Sequence, residues 1–153
     1  MNTLTKDRLQ PRMSETRIKK YLELAKGMCK FSDMHKAHLG SVLIYKNKVI
    51  SVGWNVGSKT SPIQKEYNKY RKFNPEDSCV INSLHAEMFC LHKARNLDID
   101  WSKASLFTYR QKKNGEQGLA RSCPACHAYA MSLGLGNLYY STEYGWGYER
   151  IEY

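Results

Sequence analysis

Hydrophobic residues recur along this chain with two different spacings, and the spacing separates helices from strands. Over residues 15–31, apolar side chains repeat every three or four positions, which predicts an amphipathic helix with Ser14 as its N-cap. Leu39 to Tyr45 and Val49 to Trp54 are short runs rich in β-branched and aromatic residues. The polar residues 46–48 between them predict a turn, so the two runs are predicted to form a hairpin.

After a polar and irregular stretch over residues 56–83, the pattern alternates between helices and strands. The predicted elements are a helix over about 84–96, a strand over 104–109, a helix over 123–133 that Gly134 terminates, and a strand over 137–142. This order predicts a three-layer α/β domain, in which a central mixed sheet of about five strands has helices on both faces.

The end of the chain limits the topology of the last strand. Only eleven residues follow Thr142, whereas a parallel connection needs a crossover of about a dozen residues before the strand begins. An antiparallel strand needs only a turn. We therefore expect a turn over residues 144–147 and a short antiparallel strand over 148–153.

Length and composition indicate one domain. A chain of 153 residues with 42% hydrophobic residues can bury one adequate core, so we expect a core over 14–153 and a flexible or peripheral segment over 1–13. No apolar run approaches the roughly 18 residues of a membrane span, and residues 1–17 lack the apolar centre of a secretory signal. We expect a cytoplasmic protein without a membrane partner, although export by another route would leave no mark in this pattern.

Two short motifs carry the candidate chemistry: His85-Ala86-Glu87 and Cys123-Pro124-Ala125-Cys126. One imidazole and two thiolates are three of the four ligands of a tetrahedral zinc ion, and a catalytic zinc keeps the fourth position for water. Glu87 is not needed as a ligand and can transfer protons to and from that water. Either motif alone is weak, since a lone C-x-x-C is as often a redox pair or half of a structural zinc site. Together they predict a catalytic zinc site with ligands His85, Cys123 and Cys126.

The two motifs resemble the signature of zinc-dependent nucleobase deaminases, the cytidine deaminase-like superfamily. That signature has proline before the first cysteine, whereas this chain has Ser122 there and Pro124 after the cysteine. The resemblance implies a cytidine deaminase-like fold, one Zn²⁺ per chain, and attack of zinc-activated hydroxide on C4 of cytosine. It also implies that Glu87 protonates N3 and then the leaving ammonia.

Within the superfamily, the short C-terminal tail of this chain is similar to the tail of the branch whose members end in a hairpin. That branch contains free-cytidine deaminases and bacterial deaminase toxins that attack polynucleotides. The resemblance places a substrate contact at Asn55, and we also expect substrate contacts at Ala86, Ser122 and, from the tail, Trp146. Asn55 equally suits a turn, and an aromatic residue such as Trp146 more often serves packing.

Charge bears on the choice of substrate. The chain has 24 basic and 14 acidic residues, a formal net charge of +10, and its cations cluster before each zinc motif, interleaved with aromatic residues before His85. Cations neutralise phosphates, and each base stacked on an aromatic ring contributes roughly 1–3 kcal/mol. The alternative is that the basic surface only keeps the domain soluble. The predicted nucleic-acid contacts are Lys59, Lys65, Lys69, Arg71, Lys72, Lys112, Lys113 and Arg121.

These observations predict a zinc-dependent deaminase that hydrolyses cytosine to uracil in a polynucleotide, with DNA favoured over RNA. A free cytidine, deoxycytidine or dCMP deaminase is the second hypothesis. A catalytically silent zinc domain that binds nucleic acid is the third. Glu87 argues against the silent domain, because a structural zinc site has no use for that carboxylate.

Overall fold

A mixed β-sheet carries the fold. The computed structural model describes residues 13–58, 60–71 and 83–153. Its strands are β1 (Ala37–Tyr45), β2 (Lys48–Trp54), β3 (Ser105–Lys112), β4 (Gln117–Gly118), β5 (Asn137–Ser141) and β6 (Trp146–Arg150). The order across the sheet is β2-β1-β3-β5-β6, and the two-residue β4 pairs with the end of β3. Strands β3 and β5 are parallel, and the other pairs are antiparallel, which confirms the predicted mixed sheet.

Helices cover both faces of this sheet. They are α1 (Glu15–Met28), α2 (Pro62–Tyr67), α3 (Ala86–Ala94) and α4 (Pro124–Leu133). Successive side chains of a strand point to opposite faces. Accordingly, Val42 and Phe107 pack with α1, whereas Leu43 and Leu106 pack with α3 and α4. The predicted three layers are therefore confirmed. In the described part of the chain, no helix combines the length and apolar character needed to cross a membrane.

Local signals in the sequence begin and end the elements as predicted. The Ser14 hydroxyl accepts a hydrogen bond from the Arg17 amide and caps α1. Helix α4 ends at Gly134, which adopts a φ of 87° in the left-handed region. Lys46 and Asn47 have positive φ angles and close the β1–β2 hairpin, a conformation that Asn tolerates well.

Three details of the prediction are wrong. The stretch expected to be irregular contains helix α2, which is too short to show a helical repeat but is capped by Ser61 and begins at Pro62. The pairing of β4 with β3 was absent from the prediction because two residues show no alternation. The last strand is antiparallel to β5 as expected but covers Trp146–Arg150, because the turn closes earlier, where Thr142 and Gly145 bond to each other.

The predicted peripheral segment lies outside the described residues except for Met13. Lys59, Lys72 and the rest of 72–82 also lie outside them.

Close packing of α3 against β2 depends on Gly53. A Cβ atom at this position would lie 2.5 Å from the Ala86 carbonyl oxygen and 2.6 Å from the Cys90 backbone nitrogen. Both contacts are to α3 backbone, which cannot move aside as a side chain can. The absence of a side chain at Gly53 therefore sets the distance between the sheet and the helix that begins just after His85.

We expect Gly53→Ala to lower the free energy of unfolding by roughly 1–3 kcal/mol, because the added methyl overpacks this contact. Gly27→Ala is the matched control, since a Cβ at Gly27 meets nothing within 4 Å. Gly27 lies in the last turn of α1, where replacement of glycine by alanine should stabilise the protein by up to about 0.5–1 kcal/mol. Urea denaturation of both variants measures the difference, and equal stability of the two would contradict the packing argument.

Candidate active site

Helices α3 and α4 begin beside one another, and their first residues form a cluster of metal-binding atoms. His85 is the N-cap of α3, Cys123 is the N-cap of α4, and Cys126 lies in the first turn of α4. The Nδ1 atom of His85 is 3.3 Å from Sγ of Cys123 and 3.4 Å from Sγ of Cys126. The three ligand atoms all lie within 4.8 Å of one another.

This geometry fits a zinc ion. Zinc bonds of about 2.0–2.3 Å in a tetrahedron place neighbouring ligand atoms roughly 3.3–3.8 Å apart, which matches the nitrogen-to-sulfur distances. One imidazole nitrogen and two thiolate sulfurs are a donor set that zinc prefers over harder cations. Three protein ligands leave a fourth position for water or substrate.

The contacts between the two cysteines favour the thiolate form of Cys123. A hydrogen bond from Cys126 lowers the pKa of Cys123 to about 3, with burial opposing the shift and His85 reinforcing it. The hydrogen bond to Cys123, together with burial, raises the pKa of Cys126. Thiolate is the form that binds metal, so one of the two sulfurs is prepared for ligation and the other loses its proton when metal binds.

Glu87 lies in the first turn of α3, and its side chain is buried beside the cluster. Burial raises the pKa of its carboxyl group, and the negative charge of Cys123 raises it further, while His85 and a hydrogen bond from Ser122 act in the opposite direction. A carboxyl group with a raised pKa holds a proton more readily than an exposed one and can both accept and donate it. Glu87 is therefore suited to proton transfer rather than to ligation.

A cavity of about 330 Å³ opens onto this cluster. This volume is within the range of small-molecule sites. Glu87 is the only carboxylate among the described residues that line it. Four cations from separate parts of the chain also line it: Lys36, Arg71, Arg110 and Arg121. The cavity thus combines a proton-transfer group with a strongly positive wall.

The predicted substrate contacts fall into two groups. Asn55 and Ala86 line the cavity, and Ser122 donates a hydrogen bond to Glu87. Trp146 instead packs against Tyr139 on the α1 side of the sheet, and the structure does not bring it to the cavity. From β6 it packs against the hydrophobic core between the sheet and α1.

The amide of Asn55 is already engaged with the protein. Its Oδ1 atom accepts from the Leu39 amide at 2.9 Å and from the Ser32 hydroxyl at 2.5 Å, and its Nδ2 donates to the Ala37 carbonyl at 3.0 Å. These bonds hold the start of β1 beside the end of β2. One Nδ2 hydrogen is left over from these three contacts, so Asn55 can offer substrate a single donor.

The predicted nucleic-acid residues are also divided. Arg71 and Arg121 line the cavity, and Lys65 and Lys69 are exposed in and just after α2. Two of the predicted cations have acidic partners on the C-terminal hairpin. Lys112 Nζ is 3.1 Å from Glu143 and Arg121 Nε is 2.5 Å from Glu149. Lys113 is exposed in the turn between β3 and β4.

Sequence reasoning missed two residues near the site. Lys36 lines the cavity, and Gln64 of α2 accepts a hydrogen bond from the His85 backbone amide at 3.0 Å. Arg110, in the basic run before the cysteine pair, also lines the cavity, whereas nothing in the sequence distinguished Lys36 from other surface lysines. The Ser61-Pro62 pair could have indicated α2, although not the docking of that helix on His85.

Comparison with known proteins agrees with this geometry. Residues 15–142 match the family model of the cytidine and deoxycytidylate deaminase zinc-binding region. No curated protein matches. Among solved structures, the apo dCMP deaminase from cyanophage S-TIM5 is 19% identical with a TM-score of 0.54, and the match covers 84% of each chain.

A cytidine deaminase from Burkholderia pseudomallei is 15% identical with a TM-score of 0.58, and the match covers 90% of this chain and 93% of that one. At these identities the two structures support the fold, while the match to the family model covers most of the chain and includes both zinc motifs. The chain therefore belongs to the cytidine and deoxycytidylate deaminase family and is a zinc-dependent hydrolase, with His85, Cys123 and Cys126 as its zinc ligands.

Proposed function

We propose that this deaminase converts cytosine to uracil within a polynucleotide strand, with DNA as its principal substrate. The positive wall of the cavity is the observation that carries the proposal. Lys36, Arg71, Arg110 and Arg121 surround a space in which Glu87 is the only carboxylate among the described lining residues. A free nucleoside carries no negative charge, whereas each phosphate on a strand carries one that cations of this kind can bind.

Glu87 performs the proton transfers of the reaction. Bound zinc would supply a water molecule of lowered pKa for attack on C4 of the base. Glu87 accepts one proton from that water and delivers it to N3. It then takes the remaining proton from the hydroxyl group now on C4 and delivers it to the amino group, which leaves as ammonia when the C4–N bond breaks. Its raised pKa suits a group that must both accept and donate, and the hydrogen bond from Ser122 orients the carboxyl group.

Exposed residues that precede Arg71 in the sequence support a polymeric substrate. Arg71 lines the cavity, Tyr70 is half exposed, and the ammonium of Lys69 lies 5.2 Å from the Tyr70 ring centroid. Lys65 is exposed one turn earlier, in α2. Alternating cations and an aromatic ring suit a strand, because phosphates pair with the cations and a flanking base can stack on the ring.

The antiparallel pairing of β5 and β6 also supports this choice. A C-terminal hairpin is the topology of the branch that this chain resembles in its tail, and that branch includes deaminases of polynucleotides.

Deamination of free dCMP is the second candidate. Lys112 and Arg121 are paired with Glu143 and Glu149, which reduces the positive charge that a long strand would meet. The cations inside the cavity are enough to bind one phosphate group. One of the similar solved structures is the cyanophage dCMP deaminase in complex with dCMP and dUMP.

A charge-removal experiment separates the two candidates. Lys65→Gln/Lys69→Gln should lower the rate on a single-stranded DNA oligonucleotide while leaving the rate on dCMP nearly unchanged, because neither lysine lines the cavity. The salt dependence of oligonucleotide binding should also flatten, by about 0.7 in slope for each phosphate that the variant no longer neutralises. Mass spectrometry of deoxyribose and ribose oligonucleotides, dCMP and cytidine measures the products.

Lys19→Gln/Lys20→Gln is the matched control, since it removes the same charge from α1, which contributes no residue to the cavity. Equal losses from both pairs would indicate a general charge effect. Turnover of dCMP without any turnover of oligonucleotides would contradict the polynucleotide proposal and identify free dCMP as the substrate.

Replacing Glu87 separates zinc binding from turnover. Glu87→Gln should retain about one zinc per chain and lose at least about 100-fold in turnover, because the amide keeps the shape of the carboxyl group but cannot transfer its proton. Cys126→Ala should lose most of the zinc. Metal analysis and turnover of each variant check both statements, and a Glu87→Gln protein without zinc would show that Glu87 has been given the wrong role.

A further inference from the structure

A buried amide from the segment between β2 and α3 contacts the backbone of the histidine ligand. Gln64 is fully buried in α2, a helix of only six residues. Its Oε1 atom accepts a hydrogen bond from the backbone N–H of His85 at 3.0 Å. The His85 side chain makes no capping bond of its own, because the imidazole is turned toward the cysteines.

The Gln64 amide is itself held in one orientation. Its Nε2 donates to Oδ1 of Asn68 at 2.8 Å, and Asn68 is also buried. If the amide flipped, two donors would face each other at His85 and two acceptors would face each other at Asn68, so both hydrogen bonds would break at once, which is costly for buried groups. The acceptor oxygen of Gln64 therefore faces the His85 amide in a fixed position.

The residue before His85 is held as well. Leu84 and Val56 exchange backbone hydrogen bonds of 2.7 and 2.8 Å in an isolated antiparallel bridge. Two successive residues at the start of α3 are thus fixed by the segment that follows β2. Metal ligands bind tightly only when their supporting partners hold them in the productive orientation.

We propose that Gln64 is a positioning residue of the zinc site, and that its buried amide, oriented by Asn68, holds the His85 backbone so that Nδ1 faces the two cysteine sulfurs. This inference depends on the zinc site and not on the choice of substrate. It can be tested without any nucleotide, so its failure would leave the proposed substrate untouched.

Zinc affinity is the deciding measurement. Gln64→Leu removes the acceptor at nearly constant volume and should weaken zinc binding by about 10- to 100-fold, the range found when a supporting partner of a metal ligand is removed. Competition with a chromophoric chelator measures this affinity. The absorption spectrum of the Co²⁺-substituted protein should change too, because it reports the ligand geometry directly.

Thr108→Val is the matched control for a general loss of stability. Like Gln64→Leu, it replaces a buried polar side chain by an apolar one, and it removes the 2.9 Å hydrogen bond between Ser41 and Thr108. Neither residue lines the cavity. We expect Thr108→Val to keep the zinc affinity and cobalt spectrum of the unmodified protein. Equal affinities for Gln64→Leu and Thr108→Val would overturn the proposal.

Two more variants test the hydrogen bond itself. Glu at position 64, neutral when buried, can accept from His85 and donate to Asn68, so Gln64→Glu should recover most of the zinc affinity. Asn68→Ala leaves the acceptor but frees its orientation, so it should weaken zinc binding by less than Gln64→Leu. If Gln64→Leu does not fold, the zinc affinities of Gln64→Glu and Asn68→Ala test the proposal instead. Unchanged zinc binding in Asn68→Ala together with a Gln64→Glu protein that binds zinc poorly would then overturn the proposal.

Discussion

The site depends on holding Nδ1 of His85 within 3.4 Å of two sulfurs that come 38 and 41 residues later in the chain. Strand β3 lies between the two motifs in sequence and at the centre of the sheet in space. Helices α3 and α4 pack on the same face of that sheet, so their N-termini can converge. Gly53 lets α3 approach β2 closely enough for this arrangement. The packing of α3 and α4 on the sheet therefore also determines where the three zinc ligands lie.

Electrostatics adds a second constraint at the same place. A thiolate and a buried carboxyl group stand together in the cavity, and the negative charge of Cys123 raises the pKa of Glu87. Zinc would offset that charge, and four cations line the wall of the same cavity. A positive cleft raises the local concentration of anions.

The sequence predicted the parts of the fold and site that rest on local patterns. Ser14 and Gly134 mark helix ends by their own chemistry, and the turn residues after Thr142 favoured the antiparallel strand that pairs with β5. The zinc ligands were found because their types and spacing leave few other interpretations. Two other features depend on tertiary contacts, which no local pattern encodes. Lys36 approaches the cavity, and Trp146 packs against Tyr139 on the α1 side of the sheet.

The polar segment after β2 shows why composition alone misled. Its Gln64 and Asn68 read as solvated loop residues, yet both are buried. Burying an amide is costly unless its hydrogen bonds are made, and here the partners are another amide and the backbone of His85. Helix α2 can therefore dock only where the start of α3 offers that N–H group. Gln64 and Asn68 therefore contact the site, whereas Lys65 and Lys69 of the same segment face solvent, and a six-residue helix depends on such tertiary contacts rather than on its own propensity.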